Sequence, residues 1–138
     1  MTEITSGEFS KRFVALVLGA RELPRRPLPL NILLLSSILG LQPGREYSEA
    51  QVNDELQKWI LRFGVHFGLD HVTLRRLLVD ERYLSRDAAG SFYQLEPAGP
   101  RYSFDPSIRT LDLQALVAQA RDEQARRKQR HVQESGQK

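Results

Sequence analysis

The sequence predicts a mainly α-helical domain carrying one small β-hairpin. Apolar residues recur at three- and four-residue spacing over several stretches, another stretch is apolar nearly all round, and one pair of strand-like runs flanks the turn "DAAG". A length of 138 residues, 41% hydrophobic and 27% charged, suits a single globular domain and leaves no room for a two-domain enzyme.

The elements follow in order. Thr5 and Glu8 have capping-box spacing, and Phe9, Phe13, Leu16, Val17 and Ala20 lie on one stripe, predicting an amphipathic helix that stops before Pro24. Pro24, Pro27 and Pro29 make "ELPRRPLP" a stiff connector bearing Arg25 and Arg26. Over residues 30–41 apolar side chains cover almost the whole helix circumference, so this helix must be covered on more than one side. A turn at residues 41–44 leads to a very short strand at Arg45, Glu46 and Tyr47. Ser48 with Gln51 is a second capping box, opening a helix over residues 49–62 with Val52, Leu56, Trp59, Ile60 and Phe63 inward.

Gly64 and Gly68 in "FGVHFGLD" interrupt that helix, with His66 as a half-buried loop anchor, and Asp70 is the N-cap of the next. "HVTLRRLLVDE" then places Leu74, Leu77 and Leu78 inward. Residues 82–86 and 91–95 form the hairpin, with Asp87 opening the turn and Gly90 in the left-handed conformation. Residues 97–109 hold three prolines and a glycine and read as an extended linker pinning Tyr102 and Phe104 onto the core. A last helix begins near Thr110 with Leu113, Leu116, Val117 and Ala120 inward. Beyond Arg121 the chain offers almost nothing to bury, so a frayed, disordered basic tail is expected. The organisation is therefore an N-terminal helix and connector (1–27), a central domain (28–96), and a linker, helix and tail (97–138).

Helix, short strand, helix, helix and hairpin is the order of a winged helix-turn-helix, here with added N- and C-terminal helices. "GREYSEAQVNDEL" and "DHVTLRRLLVDERYLSRDAAGSFYQL" carry a more specific likeness, most distinctly in Tyr47, Val52, Asn53, Leu74, Arg75, Arg76, Val79, Asp80, Arg86, Gly90 and Tyr93. Over roughly residues 23–95 the chain resembles a bacterial family of winged-helix domains of unknown function, found alone or fused to arsenic-repressor-type transcription regulators. The resemblance implies a DNA-binding transcriptional regulator. The connection over residues 61–69 and the C-terminus are both longer than the family pattern.

Charge gives the partner question a local form. The formal net charge is +3, but residues 1–27, 28–97 and 98–138 carry +2, −2 and +3, so bulk basicity does not carry a nucleic-acid reading. On the helix at 70–81, stepping about 100° per residue from Leu74 puts Val72, Arg76 and Val79 outward, with Arg75 on one shoulder and Thr73 and Asp80 on the other. The candidate contacts with double-stranded DNA are Arg75, Arg76, Thr73, His71 and Val72 on this helix, Arg86 and Ser91 on the wing, and Arg45 ahead of the preceding helix. The competing reading pairs Arg76 with Asp80 on a solvated surface and uses the valines to pack on another protein. Arg126, Arg127, Lys128 and Arg130 either add nonspecific affinity or are a solvated helix end.

Other classes have little to stand on. There are no cysteines, and His66, Asp70, His71 and the distant His131 do not make a zinc set, so no metal or cofactor is expected. No phosphate-binding loop, GxGxxG or GxSxG occurs, and nothing assembles a nucleophile with a base, so no enzyme is expected. The longest apolar run is shorter than the roughly 20 residues of a membrane span. The reading is a cytoplasmic DNA-binding regulator, with a homodimer expected because the all-apolar helix needs cover, and no effector ligand legible. The alternative is a winged-helix protein-interaction or dimerisation module without direct DNA binding.

Overall fold

The computed structural model describes residues 3–136, with side chains described to residue 133. The elements are β1 (Glu3–Ile4), α1 (Ser6–Gly19), α2 (Pro27–Ser37), β2 (Tyr47–Ser48), α3 (Glu49–Trp59), α4 (His71–Asp80), β3 (Leu84–Arg86), β4 (Phe92–Leu95), β5 (Ser103–Phe104) and α5 (Leu113–Gly136). The expected class holds: the chain is mainly helical, with a small antiparallel sheet ordered β2-β4-β3. A second, two-stranded sheet pairs β1 with β5 in parallel, which the sequence does not announce.

Local chemistry sets the helix ends. Thr5 Oγ1 accepts the Glu8 N–H at 3.1 Å, but the reciprocal half of that capping box is absent because the Glu8 carboxylate pairs with Arg12 at 3.1 Å. At Ser48 both halves form, with Ser48 Oγ accepting the Gln51 N–H and Gln51 Oε1 accepting the Ser48 N–H. The proline-rich connector is shorter than expected. Pro27 stands at the first position of α2, where its missing N–H would have had no intrahelical partner. The same helix ends at Ser37, before Leu41, where Ile38 leaves helical geometry at φ −118° and ψ 12°. Ser36 and Ser37 donate their hydroxyls back to the Leu33 and Leu34 carbonyls at 2.5 and 2.7 Å, which favours a helix end there.

The glycines after α3 do not break the coil as expected. It runs on through a π turn (Ile60–Gly64) and a 3-10 turn (Val65–Phe67), and only Gly68 takes a left-handed conformation, φ 66°. Gly64 serves a different end, since a Cβ on it would lie 2.6 Å from Cζ3 of Trp59. His66 is exposed rather than half-buried, its ring tilted against Phe67 with centroids 4.0 Å apart.

Every residue over 31–38 is buried, and the cover comes from within one chain. Phe9, Phe13 and Val17 of α1 are buried on the core beside α2, and the Phe13 ring meets Phe63 edge-on at 5.3 Å. The cover that motivated a homodimer is therefore intramolecular. Asn31, a buried amide, donates to the Pro27 carbonyl at 2.8 Å and accepts the Tyr83 hydroxyl at 2.7 Å, so α2 is bonded to the chain that follows α4. Burial pushes the Tyr83 phenol well above its ordinary pKa.

Tyr102 and Phe104 lie half-buried on the core as expected, Phe104 edge-on to Phe9 at 6.4 Å. The C-terminal stretch is corrected: α5 continues to Gly136, although residues 121–133 are all exposed. Ala, Arg, Gln, Glu and Lys there are strong helix formers, so the helix propagates without burial.

Two glycine substitutions should move stability in opposite directions. Gly64→Ala forces its methyl into the Trp59 ring and should lower stability by about 1–3 kcal/mol. Gly19→Ala, in open space at the end of α1, should raise it by up to about 1 kcal/mol. Urea denaturation followed by circular dichroism checks both.

Candidate nucleic-acid interface

α4 starts at Asp70, whose Oδ1 accepts the Thr73 N–H at 2.7 Å. That backbone hydrogen bond, joined by the Thr73 side chain, holds the Asp70 carboxyl below its ordinary value. Leu74 and Leu78 are buried, while Leu77 is half-buried, so the core-facing stripe is narrower than expected. Val79, expected outward, is half-buried against the core. The end of α4 explains this, because the chain turns sharply there: the Tyr83 N–H reaches the Leu78 carbonyl at 2.8 Å and the Arg82 N–H reaches Val79 at 3.2 Å. These are the two bonds of a Schellman cap, with Arg82 at φ 67° where glycine is usual.

The β3–β4 hairpin follows directly. Asp87 Oδ1 accepts the N–H groups of Ser91 and Phe92 at 2.7 and 2.9 Å, Gly90 sits at φ 71°, and Arg86 pairs with Tyr93 across the strands. α4 and the hairpin enclose a groove of about 200 Å³ lined by Val72, Arg75, Arg76, Val79, Asp80, Arg86 and Tyr93.

Four of the candidate residues thus meet in one place, in different states. Arg76 and Arg86 are exposed and take part in no ion pair among the described residues. In particular, the surface pair Arg76–Asp80 does not form. Val72 is 52% exposed. Arg75 is bound internally: its guanidinium donates to Asn53 Oδ1 at 2.5 Å, lies 3.2 Å from Glu49 and stacks 5.7 Å from the Tyr93 ring centroid, leaving its side chain 16% exposed. Arg75 is therefore a strut between α3, α4 and β4.

The remaining candidates lie around the groove. Thr73 is exposed at the start of α4, and His71 is half-buried with Nδ1 3.3 Å from Gln57 Nε2. Ser91 is exposed in the hairpin turn, and Arg45 stacks on Tyr47 at 5.1 Å without lining the groove. Among the described residues no cluster of three or more His, Cys, Asp or Glu could hold a metal ion. No helix is long and apolar enough to cross a membrane. The sequence reading missed Glu49 and Asn53 as the partners of Arg75. Their four-residue spacing on α3 was the available signal, since it puts an acid and an amide on one helix face.

The class defined by this geometry is a helical domain presenting one helix and a hairpin beside an arginine-lined groove. Residues 21–95 match the model of a family described as "Uncharacterized protein conserved in bacteria (DUF2087)", and the chain belongs to that family. The matched stretch takes in α2, α3, α4 and the hairpin and leaves out α1 and α5. No curated protein and no solved structure matches the chain.

Arg75 and Arg76 should separate cleanly by stability. Arg75→Ala should destabilise the fold by about 1–3 kcal/mol, because Asn53 and Tyr93 lose their partner. Arg76→Ala should change it by less than about 0.5 kcal/mol. Thermal melts of the two variants give the comparison. The Asp70 cap adds a pH dependence. Because the folded pKa is lowered, its stabilisation is present above the unfolded value of 3.8 and is lost as pH falls through the folded value. Asp70→Asn keeps the cap without the titration, so its melting temperature should fall less than the wild type's on acidification from about pH 5 to pH 3.

Proposed function

We propose that this chain is a winged-helix DNA-binding protein, with α3 and α4 as the helix-turn-helix pair, α4 in the major groove and the β3–β4 hairpin as the wing. The observation that carries the reading is the convergence of Arg76 on α4 and Arg86 on the wing, both unpaired among the described residues, on one groove. Arginine can address guanine in a bidentate manner, and a helix of this width fits the major groove. Arg76, Thr73, His71 and Val72 would then face base edges. Arg86, Ser91 and Arg45 would hold backbone phosphates, which position without specifying sequence. Arg75 fixes α4 rather than reading DNA. We read this binding as transcriptional control in the bacterial cytoplasm, without catalysis; the resemblance of residues 23–95 to domains found fused to arsenic-repressor-type regulators supports that reading. A homodimer would match two-fold half-sites.

A second reading has one observation in its favour. Val72 on α4 and Phe92 on the wing are 52% and 50% exposed, which suits contact with a protein partner.

Gel-shift titration against random-sequence duplex at two salt concentrations tests the first reading. Binding at low salt that weakens as salt rises is expected. On a selected site, Arg76→Ala should cost about 1–3 kcal/mol and relax preference at one position, whereas Arg86→Ala should weaken all sequences alike. Absence of binding at low salt would overturn the DNA reading in favour of the partner module. In that case Val72→Asp should abolish the protein association with folding retained.

A further inference from the structure

We infer that the cleft between the end of α2, α3 and the start of α5 is a binding site for a small organic anion, a carboxylate on an apolar body, independent of the α4 groove. The cleft has a volume of about 510 Å³, inside the range of small-molecule sites. Its apolar wall is Trp59 and Phe63, both buried, with Leu39, Leu111 and Leu113 half-buried beside them. The Trp59 N–H is already donated to Ser36 Oγ at 3.0 Å, so the indole offers a surface rather than a hydrogen bond.

The charged groups give the cleft its sign. Lys58, Arg62 and Arg109 line it together with Glu55 and Asp112. Both carboxylates are engaged: Glu55 with Lys58 at 3.6 Å, and Asp112 as a cap accepting the Ala115 N–H at 3.1 Å. Gly40 contributes by its lack of a side chain, since a Cβ there would come within 2.7 Å of Glu55 Oε2. Among the described residues Arg62 and Arg109 form no ion pair, and Arg109 reaches only the Leu41 carbonyl at 3.5 Å. Two guanidinium groups thus open onto one cleft with an aromatic wall.

A guanidinium matches a planar carboxylate in a two-bond fork. Inorganic phosphate would meet the arginines yet leave the apolar wall uncovered, which selects an organic anion. The π turn also belongs to the site, because it carries Arg62 and Phe63, and such turns recur at functional positions. By the helical step of about 100° per residue, Glu55, Lys58 and Trp59 lie roughly opposite Glu49, Asn53 and Gln57, the face that holds α4. One helix therefore serves the two sites with separate faces.

Trp59 is the single tryptophan of the protein, so its emission reports on the cleft. The full chain is titrated with cyclohexanecarboxylate, with the neutral cyclohexanecarboxamide and with inorganic phosphate, all without nucleic acid. The carboxylate should change the emission saturably, and the amide and phosphate should bind at least about tenfold more weakly. The Arg62→Gln/Arg109→Gln chain should lose at least about tenfold in carboxylate affinity while melting at the wild-type temperature, both side chains being exposed. No saturable change up to about 10 mM carboxylate, well above the range of ordinary ligand sites, would overturn the inference. So would equal binding of the amide or phosphate, or undiminished binding by a folded double variant.

Discussion

α2 is the constraint from which the rest of the architecture follows. With residues 31–38 all buried, the helix beyond its first turn presents no face to water, so other elements must cover it there on every side. α1 supplies Phe9, Phe13 and Val17 on one side, while α3 and α4 pack on others. The polar atoms trapped in this arrangement all have partners: Asn31 bridges Pro27 and Tyr83, and the Ser36 hydroxyl accepts the Trp59 N–H. A buried amide with both ends bonded costs little, whereas one left with a bare oxygen would cost about 1–3 kcal/mol. Tyr83 thereby fixes the residues that link α4 to the hairpin, and the geometry of the groove rests on the burial of α2.

The same logic separates the two neighbouring arginines on α4. Successive residues on a helix point about 100° apart, so one can face a neighbouring helix while the next faces solvent. Arg75 meets Glu49, Asn53 and Tyr93, three groups from two elements, and so ties α3 to the sheet. Arg76 meets none of them. The end of α4 carries a conformational cost, since Arg82 holds a left-handed conformation in which a side chain is disfavoured. The Schellman bonds at 2.8 and 3.2 Å hold it there, and they aim the chain from α4 straight into β3.

Much of this was legible in the sequence wherever a local rule decides the outcome. Ser48 with Gln51, Asp70, and Asp87 with Gly90 each act within a few residues, and each formed as its spacing implies. The stripe of Phe9 and Phe13 likewise found the core. Three kinds of feature were not legible. Pro27 starts a helix where a proline-rich run suggests a connector, because the same ring that breaks a helix interior suits its first position. Gly64 reads as a breaker but answers to Trp59, a contact fixed only once the helix has formed. The exposed half of α5 lacks the apolar periodicity by which helices are read and rests on propensity alone. The succession of α4 and the β3–β4 hairpin followed from element order. The internal role of Arg75 did not, because it depends on Asn53 and Glu49 from another helix.

Charge then divides the labour under the DNA reading. Residues 28–97 carry a net −2, so the central domain has no broad positive field to draw a polyanion from a distance. Attraction within the groove must come from Arg76 and Arg86 at short range, against Asp80 on the same wall. Such an arrangement discriminates by geometry more than by bulk affinity, since a like charge beside the contact penalises misplaced phosphate. The nonspecific part would fall to the exposed Arg126, Arg127, Lys128 and Arg130 of α5, which lie outside the matched family region. An extended helix can follow a phosphate backbone without imposing any register on α4. Nonspecific attraction would then reside in α5 and sequence discrimination in α4, in segments of opposite net charge.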